Sequence, residues 1–161
     1  MRIARIFIST GHNYFGHHGL PAGTTPVVEV DEAELVAGSG IRGDRFFDWK
    51  ADYKGQITFF SLEVYESLCA QFQVWDRGPG VFRRNVITSG VDLNTLIGKD
   101  FTLQGLRFHG VSECTPCHWM DEAFHPGAED SLKGRGGLRA KILTNGTLRR
   151  DCIPLQPQAN G

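Results

Sequence analysis

The sequence has no long apolar run and no surplus of positive charge. No stretch approaches the roughly 20 consecutive apolar residues that a transmembrane helix requires, so we expect no association with a membrane. The 17 lysines and arginines are balanced by 18 aspartates and glutamates. Proteins that bind nucleic acid through its phosphates usually have a basic excess, so we expect no nucleic-acid partner.

Internal repeats, low-complexity tracts and shifts in composition are also missing from the 161 residues. A chain of this length can bury a sizeable core without disulfide bonds or structural metals. We therefore expect a single domain over residues 1–155. The polar tail at 156–161 is expected to be frayed.

The first residues lack the features of an export signal. Arg5 interrupts the apolar run that begins the chain, whereas a signal peptide needs an uninterrupted apolar core and a cleavage site. The segment predicts a β-strand instead, and the protein is expected to be cytoplasmic. Cytoplasmic thiols normally stay reduced, so Cys114 and Cys117 indicate chemistry rather than a disulfide framework.

Glycine is abundant, with 20 residues beside 7 prolines, and this composition favours short strands joined by tight turns. Apolar residues between 62 and 72 follow helical spacing, and Ser61 is placed to cap that helix. Gln104-Gly105 and Asn145-Gly146 each predict a hairpin, the second with a type I′ turn. The sequence therefore predicts a mostly β domain with a few helices (α+β), built on a barrel-like sheet. The predicted strands cover 3–9, 26–30, 34–37, 56–60, 85–88, 101–103, 106–108, 138–144 and 147–149, with further short helices at 117–124 and 128–133.

The densest group of reactive residues is Cys114-Thr115-Pro116-Cys117-His118, at the predicted start of a short helix. A helix N-terminus favours a thiolate, and the spacing matches haem attachment, a redox pair or half of a zinc site. Haem attachment requires export, and a thioredoxin-like fold has more long helices. The redox and zinc alternatives stay open, as does a buried cysteine pair without a role, which fits Cys114 better than Cys117. The further zinc ligands would have to come from His17, His18, His125 or Cys152.

Cationic residues lie in glycine-rich turns or at strand ends. These segments are 40–45, 83–85 and 134–139, and Lys54 precedes another predicted strand. Such segments place guanidinium groups and open backbone N–H groups where a phosphate or carboxylate can approach. None matches a P-loop or a dinucleotide fingerprint. The pattern therefore predicts a phosphate-bearing ligand other than a simple nucleotide.

Residues 10–25 form a long segment without a regular pattern, and such loops are often functional. His12, His17 and His18 lie in it, and metal binding by them is less expected than exposure to solvent. In an alternative interpretation the loop caps a pocket, with Tyr14 and Phe15 excluding water.

Five motifs occur in order over about two-thirds of the chain. They are GIRGDR at 40–45, KGQITFFS at 54–61, FRRNVITSG at 82–90, IGKDF at 97–101 and ECTPC at 113–117. Together they resemble the MOSC family, the domain named for the C-terminus of molybdenum-cofactor sulfurase. The resemblance implies a single β-rich domain that binds the molybdenum cofactor (molybdopterin) or a sulfurated form of it.

The resemblance implies two kinds of activity. One is a molybdenum enzyme that reduces N-hydroxylated compounds, which would need a separate electron-donor protein. The other is a non-catalytic carrier that delivers cofactor or sulfur to a molybdoenzyme. The family cysteine corresponds to Cys117, which would ligate molybdenum or hold a persulfide, and the Arg84-Asn85 pair would lie at the cofactor pocket. The family is also associated with pyridoxal phosphate binding.

The residues give a matching hypothesis, because a soft thiolate suits a metal and arginines suit a phosphate. Cys117 is the expected metal ligand, sulfur carrier and catalytic residue. Thr115 is expected to orient the ligand by a hydrogen bond, whereas Cys114 is not expected to be a second ligand. The expected anion-binding residues are Arg45, Lys54, Arg84, Asn85 and Arg139, with Arg135 as a further member.

Overall fold

The computed structural model describes residues 1–152, so the expected tail at 156–161 lies outside the described residues. The strands there are β1 (Arg2–Ile8), β2 (Val28–Val30), β3 (Glu32–Val36), β4 (Gly40–Ile41), β5 (Ile57–Ser61), β6 (Val86–Ser89), β7 (Asp100–Leu103), β8 (Leu106–Glu113), β9 (Leu138–Ile142) and β10 (Gly146–Arg149). The helices are α1 (Leu62–Phe72), α2 (Trp119–Ala123) and α3 (Ala128–Leu132), with 3-10 turns at Pro79–Phe82 and Leu93–Leu96. None of these helices has the length and apolar character needed to cross a bilayer.

The larger sheet has seven strands in the order β2-β1-β6-β5-β9-β8-β7. Its neighbours are antiparallel except for β5 and β6, which run parallel and are joined through α1. The parallel strands β5 and β6 start at the same end of the sheet, and β1, which is antiparallel to β6, finishes at that end. Thr58 at the start of β5, Asn85 before β6 and Ser9 after β1 therefore lie close together.

Both faces of the larger sheet are covered, which explains its continuous apolar strands. On one face lies the smaller sheet, in the order β10-β3-β4, and Ile57 and Phe59 of β5 point into the core between the sheets. On the other face lie the three helices, and Phe60 points toward them. The alternation along β5 follows from the two-residue repeat of a strand.

The predicted mostly β domain with a few helices is confirmed, whereas the predicted barrel is not. Across residues 1–152 the larger sheet ends at β2 on one side and at β7 on the other, and these edges do not pair. Two of the predicted strands, β3 and β10, instead form a smaller, separate sheet together with β4. The architecture is therefore two packed sheets with helices on the outer face.

The predicted hairpin at Asn145-Gly146 is wrong, although both flanking strands exist. β9 lies between β5 and β8, while β10 pairs with β3, where Leu148 is opposite Ala33. The Asn145 Oδ1 accepts a hydrogen bond from the Ala37 amide at 2.7 Å, so this turn leads from one sheet to the other. Burial of Leu148 between the sheets outweighs the local turn preference.

Two local predictions are confirmed. Helix α1 covers residues 62–72, and the Ser61 Oγ accepts a hydrogen bond from the Val64 amide at 3.2 Å. The hairpin at Gln104-Gly105 joins β7 to β8, with Leu103 opposite Leu106. Both features depend on residues close in sequence.

Candidate functional site

Cys117 lies on the segment that leads from β8 into α2. Its thiol is free and half-buried, and the Met120 amide donates a hydrogen bond to its carbonyl oxygen at 2.9 Å. Cys114 is also free but only 2% exposed, and its amide donates to the Gly137 carbonyl oxygen at 2.8 Å. Of the two thiols, that of Cys117 is therefore the one that a ligand can reach.

The loop at 10–25 folds back over this segment. The Tyr14 ring stacks on Trp119 with 4.9 Å between the ring centroids, and the Arg83 guanidinium lies 5.6 Å from the Tyr14 centroid. Burial raises the pKa of Tyr14, Arg83 opposes that rise, and Cys117 adds to it. The stack of Tyr14 on Trp119 joins the loop to the start of α2, two residues after Cys117. The interpretation of this loop as a cap thus has a structural basis at Tyr14.

Four arginines gather beside the two cysteines, and we call them the arginine cluster: Arg45, Arg83, Arg84 and Arg139. The Arg45 Nη2 donates to the Arg83 carbonyl oxygen at 3.2 Å, and the Arg84 Nη2 lies 3.4 Å from the Cys114 carbonyl oxygen. Arg139, the remaining member, acts on the Tyr53 phenol, as Arg45 does. Burial raises the pKa of Tyr53, and the positive charge of Arg139 is the largest effect that lowers it.

Burial also opposes the charge of two of these arginines, Arg45 and Arg83. It lowers the pKa of Arg45, and the neighbouring Arg84 lowers it further, while Asp44 opposes both effects. Burial lowers the pKa of Arg83 to about 10, with Arg45 contributing. A site of like charges that are partly removed from water favours a negatively charged ligand.

The arginines differ in what holds them. Arg84 donates from Nε to the Gly136 carbonyl oxygen at 3.1 Å and from Nη1 to the Phe82 carbonyl oxygen at 3.0 Å. Arg139 lies on β9, opposite Thr58 of β5, and its guanidinium makes no hydrogen bond to another of the described residues. Neutral carbonyl partners leave the positive charge of Arg84 uncompensated, and Arg139 is free to meet a ligand.

The turn at Gly136-Gly137 brings the arginines close to the cysteine segment. A Cβ at Gly136 would collide with the Cys114 carbonyl oxygen, and one at Gly137, where φ is +108°, would collide with the Phe59 carbonyl oxygen. Glycine is therefore required at both positions for the backbone to approach so closely.

Asn85 is beside the arginine cluster, but its side chain is already engaged. Its Oδ1 accepts hydrogen bonds from the Thr58 amide and hydroxyl at 3.1 and 2.9 Å. Its Nδ2 donates to the Phe7 carbonyl oxygen at 3.2 Å and to Asp44 Oδ1 at 3.3 Å. Asn85 is 4% exposed, so it joins the strands that bear the site and offers little to a ligand.

The other expected site residues are less central. Lys54 and Thr115 are exposed, next in sequence to Tyr53 and Cys114. Arg135 points elsewhere, since it donates to the Ser131 carbonyl oxygen at 2.7 Å and lines a separate cavity of about 490 Å³ between α1 and the end of β6. The structure thus brings Arg45, Arg84, Asn85 and Arg139 together beside the cysteine segment, at its Cys114 end, but does not bring Arg135 there.

Sequence reasoning missed Ser112 and Asp44. Ser112 is opposite Arg139 across β8 and β9, and its Oγ is buried without a hydrogen-bond partner in the described part of the chain. An orphaned buried hydroxyl costs about 1–3 kcal/mol. Asp44 is 6% exposed and adjoins Arg45. The position of Asp44 between Arg42 and Arg45 was a signal in the sequence, whereas nothing in the sequence indicated Ser112.

The histidines do not form a metal site in residues 1–152, where no three side chains of the ligand types His, Cys, Asp and Glu come together. His17 Nδ1 lies 2.8 Å from the Pro21 carbonyl oxygen, and the His18 ring faces His118 at 6.0 Å. The zinc alternative therefore finds no ligand set in this part of the chain.

A cavity of about 570 Å³ opens between the loop at 10–25 and α2, and it reaches His118, the residue after Cys117. Aromatic and apolar side chains form most of its wall, and Glu122 adds a carboxylate. The lining includes Tyr14, Leu20, Pro21, His118, Trp119 and Glu122. Its size suits a small organic molecule.

Comparison with known proteins agrees with this architecture. The family described as MOSC domain matches residues 17–151. The YuaD protein from Bacillus subtilis superposes with a TM-score of 0.70 at 17% identity, over 92% of this chain and 90% of that one. YiiM from Escherichia coli gives 0.63 at 17% identity, over 94% and 67%, and YiiM from Geobacillus stearothermophilus gives 0.66 at 12%, over 92% and 70%. At these identities the likeness shows the fold alone. No curated protein sequence matches the chain significantly.

Proposed function

The chain belongs to the MOSC domain family, and on that basis we propose that it binds the molybdenum cofactor, with Cys117 as the sulfur ligand of the metal. The observation that supports this most is an arginine cluster beside the segment that carries one reachable thiol, with Arg84 hydrogen-bonded to the Cys114 carbonyl oxygen. Thiolates are soft ligands for such a metal, and guanidinium groups bind the phosphate at the other end of the cofactor.

The residues present fit both ends of this group. The free, half-buried Cys117 thiol offers the metal a sulfur ligand. Within residues 1–152 the Arg139 guanidinium has no hydrogen-bond partner, and the Ser112 hydroxyl opposite it is buried and unsatisfied, so both would gain hydrogen bonds from a phosphate. Arg45 and Arg84 supply further positive charge.

We propose a reductase of N-hydroxylated compounds as the activity. When bound, the molybdenum centre would supply the two-electron chemistry that, with two protons from water, reduces N–OH to N–H and releases the oxygen as water. Cys117 holds the metal end, and the arginine cluster holds the phosphate end. The stacked Tyr14 and Trp119 limit the access of water, and the cavity between the loop and α2 receives the substrate. The electrons come from a separate donor protein.

A carrier of cofactor or sulfur is the second candidate. Its support is that the cover over Cys117 is a loop, joined to α2 through the contact of Tyr14 with Trp119. Such a cover can open to release cargo to a molybdoenzyme. Both candidates use the same thiol and the same arginines.

Metal analysis with matched cysteine variants tests the proposal. In protein purified from cells that make the cofactor, we expect one equivalent of molybdenum and pterin for the wild type and for Cys114→Ser. We expect neither for Cys117→Ser, with the fold retained by circular dichroism. Unchanged molybdenum in Cys117→Ser, or none in the wild type, would contradict the assignment.

The loaded protein then separates the two candidates. Reoxidation of the reduced protein by an N-hydroxylated compound supports the reductase. Transfer of the cofactor to an apo-molybdoenzyme without turnover supports the carrier. Stoichiometric zinc that is lost in Cys114→Ser would favour the zinc module in place of both.

A further inference from the structure

A buried carboxylate, Asp44, lies within the arginine cluster and is not used by the proposed chemistry. Its side chain is 2% exposed. Its Oδ1 accepts hydrogen bonds from the Ser9 amide at 3.1 Å and from Asn85 Nδ2 at 3.3 Å, and its Oδ2 accepts from the Phe46 amide at 3.2 Å. The Arg45 Nη1 lies 3.4 Å from Oδ1. A buried charge is costly unless its surroundings compensate it, so this one needs an explanation.

One partner of Asp44, Ser9, also holds two of the arginines. The Ser9 Oγ accepts a hydrogen bond from Arg83 Nη2 at 3.0 Å, and the Ser9 carbonyl oxygen accepts from the Arg45 amide at 2.7 Å. The Arg45 Nη2 donates in turn to the Arg83 carbonyl oxygen. Asp44 thus connects the end of β1, the turn that bears Arg45 and the backbone at Arg83.

The charges of the neighbouring arginines explain why a carboxylate is buried here. Arg45, Arg83 and Arg84 repel one another, and each of the first two also loses hydration. Among the described residues that shift the pKa of Arg45 or Arg83, Asp44 is the only carboxylate. Without a ligand, a fixed internal anion is needed to keep these guanidinium groups together.

We propose that Asp44 is a positioning residue, an internal counter-ion that holds Arg45 and Arg83 in place for an anionic ligand. The proposal rests on the anion-binding role given to the arginine cluster above. It goes against simple charge counting, since removal of a negative charge beside an anion site should strengthen anion binding. If Asp44 positions the arginines, its removal weakens anion binding instead.

The test is whether replacement of Asp44 makes anion binding weaker or tighter. The full chain, produced without cofactor, is titrated with inorganic pyrophosphate by calorimetry at low salt. For Asp44→Asn we expect binding at least fivefold weaker than for the wild type. The matched control is Asp48→Asn, which removes the same charge from an exposed position in the same segment. We expect it to bind equally or up to twofold more tightly. Equal or tighter binding by Asp44→Asn would overturn the proposal.

A second measurement does not depend on anion binding. The Nε–H resonances of Arg45 and Arg83 are assigned in ¹H–¹⁵N spectra by substitution of each with lysine. We expect both resonances to shift and broaden in Asp44→Asn and to stay in place in Asp48→Asn. If the wild type does not bind pyrophosphate, the arginine cluster fails as an anion site, and these spectra still decide the role of Asp44.

A variant that keeps the negative charge is used if the first variant does not fold. If Asp44→Asn does not fold, as judged by circular dichroism, Asp44→Glu replaces it and moves the carboxylate by one methylene group. The expected result is the same displacement of the Arg45 and Arg83 resonances, with net charge unchanged. Unmoved resonances in the folded variant would overturn the proposal.

Discussion

At the scale of single side chains, the members of the arginine cluster differ in their hydrogen-bond partners. Arg84 bonds to backbone carbonyl oxygens and so joins the cysteine segment to the neighbouring turn. Arg83 is buried against Ser9 and the Gly11 carbonyl oxygen. Arg139 has no such partner in the described residues, so its charge serves a ligand more than the fold.

Arg139 and Arg84 should therefore separate ligand binding from stability. We expect Arg139→Gln to change the free energy of unfolding by less than about 0.5 kcal/mol. The same variant should lose about 1.5–3 kcal/mol of cofactor binding, because a charge-assisted hydrogen bond is lost. Arg84→Gln should lose both. Urea unfolding and the amount of retained pterin measure the two effects, and a large loss of stability in Arg139→Gln would contradict this division.

His12 should make stability depend on pH. Burial lowers its pKa, and Arg45 and Arg83 lower it further, so the folded protein resists its protonation. The unfolded chain takes up that proton from about pH 6.5 downward. The stability due to neutral His12 is thus complete above that pH and is lost as pH falls through the folded-state pKa.

Urea unfolding at pH 7.5 and 5.5 measures this effect. We expect the wild type to lose more stability between the two values than His12→Phe, which keeps the aromatic packing on Phe46 and Trp49. An equal loss in both proteins would assign the pH dependence to other groups.

The sequence predicted which side chains would matter but not how they are held. Cys117 and three of the arginines were identifiable because thiols and guanidinium groups have a specific chemistry. The carboxylate of Asp44 and the hydroxyl of Ser112 became visible only through burial and through neighbours on other strands. The internal engagement of Asn85 depends on β1 and β5, which are distant in sequence.

At the scale of elements, local signals were reliable and long-range pairing was not. Helix α1 has its cap and its apolar spacing within a dozen residues, so the sequence predicted its bounds. The turn at Asn145-Gly146 has an equally strong local signal, but β10 pairs with β3 across the chain. Strand pairing is decided by which apolar face can be buried, and that depends on the whole fold.

The loop at 10–25 is joined to the start of α2, next to Cys117, by the stack of Tyr14 on Trp119. We expect Tyr14→Ala to increase the rate of Cys117 alkylation by iodoacetamide about tenfold, because the stacked ring shields the thiol. Phe15→Ala is the control, since it removes the next aromatic ring, which packs on His12 and Trp49 instead. Peptide mass spectrometry locates the label. Equal acceleration in both variants would mean that general loosening of the loop, not the stack, exposes the thiol.

At the scale of the whole molecule, the core between the two sheets joins distant parts of the chain. Leu148 of β10 is fully buried there beside Ile3, Leu35 and Phe108. We expect Leu148→Ala to cost about 2–5 kcal/mol of unfolding free energy, the usual range for a buried leucine. Thr147→Ala, on the same strand but half-buried, should cost less than about 1 kcal/mol.

Urea unfolding of both variants checks this expectation. A small loss for Leu148→Ala would mean that the smaller sheet adds little to the core. The arginine cluster lies where β5 and β6 start, away from Leu148. We therefore expect pyrophosphate binding by the folded fraction of Leu148→Ala to equal that of the wild type.

The pairing of β3 with β10 also has a consequence for biosynthesis. Glu32 is translated early, and Arg149, its partner, only when almost all of the described residues have been made. Until then a nascent chain on the ribosome displays Ala33 and Leu35 on a strand with one open side. The emerging polypeptide thus offers chaperones a transient apolar edge, and pauses in translation ahead of β10 would prolong its risk of aggregation.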